Sequence, residues 1–180
     1  MLKIIILLSL AVCLLCLTFE KQNCRIINEQ KYCINEDSDS SKFKILTLVD
    51  KNFDKLIDHL QKRYPDEEIT NTLTERYKNK TRMSELLDKS KNIAFSKNKG
   101  EEVSLCLEDE NLDMNTLMFI AIHELSHIGT NEIGHTNRFW KNMKFLLERA
   151  VELDIYIPQD YSKFPVTFCD YEIESSPLFK

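Results

Sequence analysis

Two histidines and a glutamate near residue 125 have the types and the spacing of a metal-dependent hydrolytic site. His123, Glu124 and His127 form the pattern H-E-x-x-H. Histidines four positions apart on a helix lie about one turn apart on the same face, so both imidazoles can bind one Zn²⁺. A carboxylate beside the first ligand can accept a proton from a metal-bound water molecule. The pattern therefore predicts a zinc site with Glu124 as general base.

A catalytic zinc has three protein ligands and keeps one position open for water, so the motif requires a third ligand. His135 is the first candidate, because Gly129 and Gly134 allow the intervening chain to turn back over the end of the helix. Glu148, and behind it Glu152, are rival carboxylate ligands on the next predicted helix. The chain has four histidines and three of them lie in this stretch, which favours His135.

Other interpretations of the same residues stay open. The two histidines of the motif can be a buried, hydrogen-bonded pair, although their apolar neighbours offer few polar partners. The domain can also bind zinc without catalysis and recruit partner proteins, or hydrolyse small amides with the same zinc chemistry. Glu124 discriminates between catalysis and binding alone, because a domain that only binds zinc has no need of a base there.

The residues around the motif predict an α+β domain in which a small antiparallel sheet packs on a buried metal-binding helix and on further helices. Every residue from Leu117 to Ile122 is apolar, so this helix must lie in the core, and Asp113 or Asn115 can cap its start. Thr136 can cap the next helix, which repeats an apolar residue every four positions. The repeated residues are Phe139, Met143, Leu147 and Val151.

Alternating and β-rich segments predict the strands of the sheet. Residues 43–49 alternate in a way that is compatible with a strand, and a helix that ends at Pro65 follows them. Residues 93–95 and 103–107 predict an antiparallel hairpin with Gly100 in its turn. An extended substrate can add to residues 103–107 if that strand forms the edge of the sheet.

The chain divides into three predicted segments. Residues 1–19 contain the apolar run Ile4–Phe19, which is longer than the core of most signal peptides and slightly short for a bilayer span. A cleavage site is poorly formed, which favours an uncleaved single-pass anchor, and a signal peptide stays the alternative. Residues 20–42 predict a polar tether, and residues 43–180 a metallopeptidase-like domain. The protein is thus expected to be membrane-anchored through its first residues, or secreted or lumenal.

Four cysteines outside the apolar run can form disulfides if the domain lies in an oxidising compartment. Cys24 and Cys33 bracket a short polar stretch, and Cys106 and Cys169 are a second possible pair. In a reducing compartment all four would be free thiols.

Charge and composition exclude several classes of function. The 180-residue chain has 24 Lys and Arg against 29 Asp and Glu, for a net charge of −5, so nucleic acid is not an expected partner. The expected partner is a protein or peptide substrate. Hydrophobic residues make up 43% of the chain, as in a folded soluble domain. Nothing in the sequence indicates an oligomeric state.

The motif and the residues after it resemble a known family. His123–His127, HELSH, is followed by Gly134–Trp140, GHTNRFW. This combination resembles the WLM and SprT-like metallopeptidases, in which a third histidine precedes an aromatic pair at the start of a helix. The similarity is close from about Phe95 to Trp140. The interval between the second and third histidines lies between those usual for the two subfamilies, so the subfamily stays open.

The resemblance implies a zincin-like fold and a zinc-dependent metalloendopeptidase. By this resemblance His123, His127 and His135 bind zinc and Glu124 is catalytic. Members of these families cleave proteins crosslinked to DNA, but the acidic balance and the apolar N-terminal run fit that role poorly, and the substrate is not carried over. Trp140 is expected to pack against the metal-binding helix rather than to contact substrate.

Overall fold

The structure is a computed structural model, in which residues 22–77, 81–87, 92–108 and 112–180 are described. These residues form an α+β fold, as the sequence predicts. The elements in chain order are β1 (Gln22–Ile27), β2 (Gln30–Asn35), α1 (Lys42–Arg63), α2 (Glu68–Arg76), β3 (Arg82–Glu85), β4 (Ala94–Lys97), β5 (Glu102–Leu105), α3 (Met114–Gly129), α4 (Asn137–Glu152), β6 (Val166–Phe168), β7 (Tyr171–Ile173) and a short 3₁₀ helix (Pro177–Phe179).

The main sheet has five strands in the order β1-β2-β3-β5-β4, and it is mixed rather than antiparallel. Its outer pairs, β1 with β2 and β4 with β5, are antiparallel, whereas β2 with β3 and β3 with β5 are parallel. The prediction of an antiparallel sheet is therefore wrong for its centre. Helices α1 and α2 connect β2 to β3, and such a crossover allows parallel pairing.

The predicted strand over residues 43–49 is wrong, because these residues form the start of helix α1. Phe43, Leu46, Val49 and Phe53 are buried, a spacing of three or four that places them on one face of a helix. The same face continues to Leu60. The strand-like alternation of the shorter window comes from Ile45 and Thr47, two β-branched residues that are only partly buried beside this face.

The polar tether predicted for residues 20–42 is also corrected, because strands β1 and β2 occupy most of it and belong to the main sheet. The hairpin is held to the domain by the buried side chains of Tyr32, Cys33 and Ile34. Glu85 fixes its end, since the carboxylate accepts the backbone N–H of Asn35 at 2.9 Å. The folded domain thus includes residues well before Phe43.

The single-pass anchor predicted for residues 1–19 lies outside the described residues. Within the described part of the chain, no helix is both long and apolar enough to cross a bilayer.

Two disulfides link the cysteines in the pairs that the sequence suggested. Cys24 and Cys33 face each other across β1 and β2, and Cys106 joins Cys169, 63 positions later. Disulfides persist in oxidising compartments, which supports a secreted or lumenal location for the domain.

Helix α3 is the central helix of the fold, as its apolar sequence predicts. The Asp113 side chain caps it by accepting the N–H groups of Asn115 and Thr116. At its other end, Gly129 packs closely on α2: a Cβ at this position would lie 2.7 Å from a side-chain carbon of Ile69. Helix α4 starts at the cap residue Thr136, and the β4–β5 turn contains Gly100, both as predicted.

Candidate metal centre

The structure brings His123, His127 and His135 together into one group, which we call the histidine cluster. The Nε2 atom of His135 lies 2.9 Å from Nε2 of His123 and 3.2 Å from Nε2 of His127. All three ligand atoms lie within 4.8 Å of one another. Two nitrogens bound to one tetrahedral zinc at ~2.0–2.1 Å are about 3.4 Å apart. The spacing of the cluster is close to this value.

The donor chemistry of the cluster fits a cation better than internal hydrogen bonding. A neutral imidazole has one N–H donor and one acceptor nitrogen. Nε2 of His135 faces the Nε2 atoms of both His123 and His127, and its single proton can be donated to only one of them at a time. A divalent metal among the three nitrogens would accept a lone pair from each, so the residues present fit a bound Zn²⁺.

Two histidines come from one helix and the third from a returning loop. His123 and His127 are four residues apart on α3, so they share one face of the helix, and both line a cavity. The chain then reverses through Gly134, whose φ of +81° is one that side chains rarely allow. This reversal places His135 over the end of the helix, as the sequence predicts.

Lys99 holds this returning loop in place, a role that the sequence analysis missed. Its ammonium group donates to the carbonyl oxygens of His127, Thr130 and Glu132 at 3.2, 2.7 and 2.7 Å. Burial lowers the pKa of Lys99, and the nearby positive charge of Arg76 lowers it further. A lysine whose ammonium group donates to the last carbonyls of a helix is a known C-terminal cap. Lys99 lies 28 positions before His127, so the sequence gives no local signal of this contact.

An aromatic pair at the start of α4 supports the histidine rings. Phe139 is fully buried and contacts all three, with ring centroids 4.3 Å from His127, 4.8 Å from His135 and 4.9 Å from His123. Trp140 stacks on His135 at 5.5 Å and leaves 36% of its surface exposed. The tryptophan therefore packs at the cluster, and it also lines the cavity.

Burial keeps two of the histidines neutral. Burial, together with the neighbouring histidines, lowers the pKa of His123 to about 3, and burial, together with the charges of His135 and Lys99, lowers that of His127 to about 4. Only the neutral imidazole can donate a lone pair to a metal. The environment of the cluster thus favours the metal-binding form of these side chains over a wide range of pH.

Glu124 lies beside the cluster and is almost completely buried, with 6% of its surface exposed. Burial raises the pKa of its carboxyl group to about 7, against the effect of the Ser96 hydroxyl and backbone N–H, which both donate to it. The carboxylate lines the same cavity as the three histidines. A carboxylate that titrates near neutral pH can both accept and return a proton.

The rival ligands lie apart from the cluster. Glu148 pairs with Arg149, and Glu152 pairs with both Arg149 and His59. Among the described residues, the histidine cluster is the one group of three or more metal-binding side chains with convergent ligand atoms, and neither carboxylate belongs to it.

The cluster opens into a cavity of about 780 Å³. One wall is β4, the edge strand of the main sheet in the described part of the chain, and the opposite wall is the β6–β7 hairpin with residues 174 and 175. The condition for adding a substrate strand to residues 103–107, that they form the sheet edge, is not met. Strand β5 lies between β3 and β4, and its two edges are both paired.

Comparison with known proteins finds relatives in viruses. An uncharacterized protein of Acanthamoeba polyphaga mimivirus is 29% identical over 141 residues, which cover 74% of this chain and 72% of the relative. An uncharacterized protein of Invertebrate iridescent virus 6 is 26% identical over 169 residues, covering 84% of this chain and 90% of the relative. A third, from Invertebrate iridescent virus 3, is 38% identical over 61 residues, which cover 32% of this chain and 38% of the relative. No family model and no solved structure matches the chain.

Proposed function

We propose that this protein binds one Zn²⁺ through the histidine cluster and hydrolyses peptide bonds of protein substrates. The observation that carries the proposal is the convergence of three imidazole nitrogens beside a buried carboxylate at the wall of an open cavity. Three protein ligands with a neighbouring base are the composition of a catalytic rather than a structural zinc site. The proposed family is that of the WLM and SprT-like peptidases, with a zincin-like arrangement of α3 against the sheet.

Glu124 would act as the general base and then as the general acid. When bound, Zn²⁺ supplies Lewis-acid polarisation of a water molecule and of the substrate carbonyl. The Glu124 carboxylate accepts a proton from the attacking water and passes it to the leaving amine nitrogen. Ser96 orients the carboxylate with two hydrogen bonds, so that its position is fixed before substrate binds. Its burial keeps competing water away from the proton transfer.

Strand β4 is suited to bind an extended substrate. The N–H of Cys106 donates to the carbonyl of Ile93, so residues 93 and 95 face β5, and residues 94 and 96 present their backbone groups to the open edge. Ser96 already uses this edge to contact Glu124. A peptide that adds to β4 as a further strand would therefore lie along the cavity, with its backbone next to the base.

Hydrolysis of an unfolded, fluorophore-labelled protein by the full chain tests the proposal. We expect zinc-dependent cleavage that falls about 10²–10⁴-fold in the Glu124→Gln variant, since general acid–base catalysis contributes a factor of this size. Glu148→Gln, a change at an exposed carboxylate on α4, is the matched control and should keep parental activity.

Three other results would each have a distinct meaning. Equal cleavage by the parent and Glu124→Gln proteins would exclude the proposed mechanism. Stoichiometric zinc without cleavage of any protein would indicate the catalytically silent domain that recruits partners. Hydrolysis of short amides without cleavage of proteins would indicate a small-molecule amidohydrolase.

A further inference from the structure

Large apolar side chains line part of the cavity beside the histidine cluster, among polar residues. Its mouth carries four large hydrophobic residues that are exposed to solvent: Phe95 (37%), Ile133 (90%), Trp140 (36%) and Tyr171 (36%). Its interior continues along Phe119, Ile120 and Met143. Exposed apolar residues grouped around one opening are unusual on a soluble domain and mark a surface that binds something apolar.

The β6–β7 hairpin supplies the wall opposite β4. Tyr171 and Ile173 of this hairpin line the cavity, and the hairpin's turn, Cys169–Asp170, is bonded to Cys106 at the end of β5. A two-stranded hairpin of three residues a strand is not stable alone. The disulfide therefore fixes the distance between the two walls.

The charges at the rim restrict what can enter. Glu172 and Glu174 line the cavity on the hairpin side, and both are exposed. Lys99 also lines the cavity, but its ammonium group is bonded to three carbonyl oxygens. A segment with acidic side chains would meet these two carboxylates, and like charges repel.

We infer that the cavity between β4 and the β6–β7 hairpin is a specificity subsite for a large apolar side chain next to the scissile bond. This inference rests on the proposed function and names its substrate class: extended segments with Leu, Ile, Met or Phe beside the cleaved bond and without neighbouring acidic residues. A substrate strand on β4 projects alternate side chains toward the hairpin. The side chain at the reacting position then fills the apolar interior.

Cleavage of a peptide mixture by the zinc-loaded full chain tests the inference, with cleavage positions identified by mass spectrometry. We expect kcat/KM to be at least about tenfold higher for peptides with Leu or Phe beside the cleaved bond than for the same peptides with Ala. Glu in place of Ala should lower it further. Cleavage without preference that is abolished in Glu124→Gln would overturn the inference and leave the proposed function intact. Absence of cleavage of any peptide would overturn both.

Substitution of the exposed rim separates a specificity role from a structural one. Ile133→Ser should reduce the Leu-to-Ala preference to less than about threefold, because an apolar contact at the mouth of the cavity is lost. Ile157→Ser is the matched control: Ile157 is 73% exposed and does not line the cavity. Binding of a labelled Leu peptide to the Glu124→Gln protein, measured by fluorescence anisotropy, should weaken with Ile133→Ser and not with Ile157→Ser. Equal binding by both variants would contradict the inference.

Removal of one disulfide at a time tests the role of the hairpin. A Cys106→Ser/Cys169→Ser variant should lose the Leu-to-Ala preference while it keeps its zinc. A Cys24→Ser/Cys33→Ser variant should keep the preference, because that disulfide lies at the far edge of the sheet. If the first variant does not fold, Tyr171→Ser, which changes an exposed residue of the wall, replaces it with the same expected loss of preference. Unchanged preference in Cys106→Ser/Cys169→Ser, or in Tyr171→Ser where it replaces that variant, would exclude the hairpin as a wall of the subsite.

Discussion

Two clusters of polar side chains lie in this domain, and they differ in how their hydrogen-bonding groups are matched. In the first, which we call the tyrosine–aspartate cluster, the hydroxyls of Tyr32 and Tyr77 both donate to the buried carboxylate of Asp50. In the histidine cluster, three ring nitrogens face one another and no arrangement of protons satisfies them all. The hydrogen-bonding groups of the first cluster are matched within the protein, whereas the second leaves ring nitrogens unmatched, as the proposed cation site would.

This difference distinguishes a polar cluster with a structural role from one that is a candidate functional site. The tyrosine–aspartate cluster joins β2, α1 and the residue after α2, so it stabilises the packing of these elements. The histidine cluster joins only α3 and the loop that returns over its end, and it lines a cavity with a buried base beside it. Convergence of lone pairs on one point, rather than burial alone, distinguishes the site.

The largest expected effect on stability comes from the tyrosine–aspartate cluster. Asp50→Ala leaves two buried hydroxyls without an acceptor, and each costs about 1–3 kcal/mol. We expect the free energy of unfolding in urea to fall by about 3 kcal/mol, with the zinc content of the folded protein unchanged. Asp37→Ala, at an exposed position, is the control. If Asp50→Ala loses its zinc at a urea concentration where the variant is still folded, the two clusters are not independent and the comparison fails.

A smaller effect is expected from the lysine that positions the returning loop. Lys99→Met removes three hydrogen bonds to carbonyl oxygens around His127 and the loop. Groups that orient metal ligands are worth about 10–100-fold in affinity, so we expect zinc to bind about tenfold more weakly in a chelator competition. Lys97→Met, at an exposed position on β4, should bind zinc as the parent does. Parental affinity in Lys99→Met would show that the loop holds its position without the lysine.

The smallest effect is the change that Tyr32→Phe makes to the loss of stability at alkaline pH. Burial is the main cause that raises the pKa of Tyr32, Tyr77, Tyr156 and Tyr161 above that of an exposed phenol. Above about pH 10 the unfolded chain loses these protons and the folded chain keeps them, so the free energy of unfolding must fall as pH rises. Urea titrations between pH 8 and 11 measure this slope. Tyr32→Phe should make it shallower; a slope that stays the same would contradict the account.

The sequence predicts the site better than the sheet. The H-E-x-x-H spacing, the apolar helix around it and the glycine before His135 are local signals, and the structure brings the three histidines together as the pattern suggests. Strand β3 gives no such signal, because three of its four residues are polar: Ser84 pairs with Ser104 and Arg82 pairs with Glu102. Only the complete sheet provides these partners.

The walls of the cavity could not be predicted from the sequence, because they depend on contacts between residues far apart along the chain. Lys99 reaches the end of α3 across 28 positions, and Cys106 reaches the β6–β7 hairpin across 63. Neither contact follows from periodicity or from turn residues. The edge position of β4 depends on β3 inserting between β2 and β5, which no local pattern indicates.

The most direct test of the central claim is the zinc stoichiometry and affinity of the full chain against its single histidine variants. The fourth histidine, His59 on α1, pairs with Glu152 away from the cluster and provides the matched control. We expect about one zinc per chain in the parent and in His59→Ala, and a loss of affinity of more than about 100-fold in His135→Ala, since a direct ligand outweighs the groups that orient it. Parental zinc binding by His135→Ala, or equal losses in both variants, would contradict the three-histidine site.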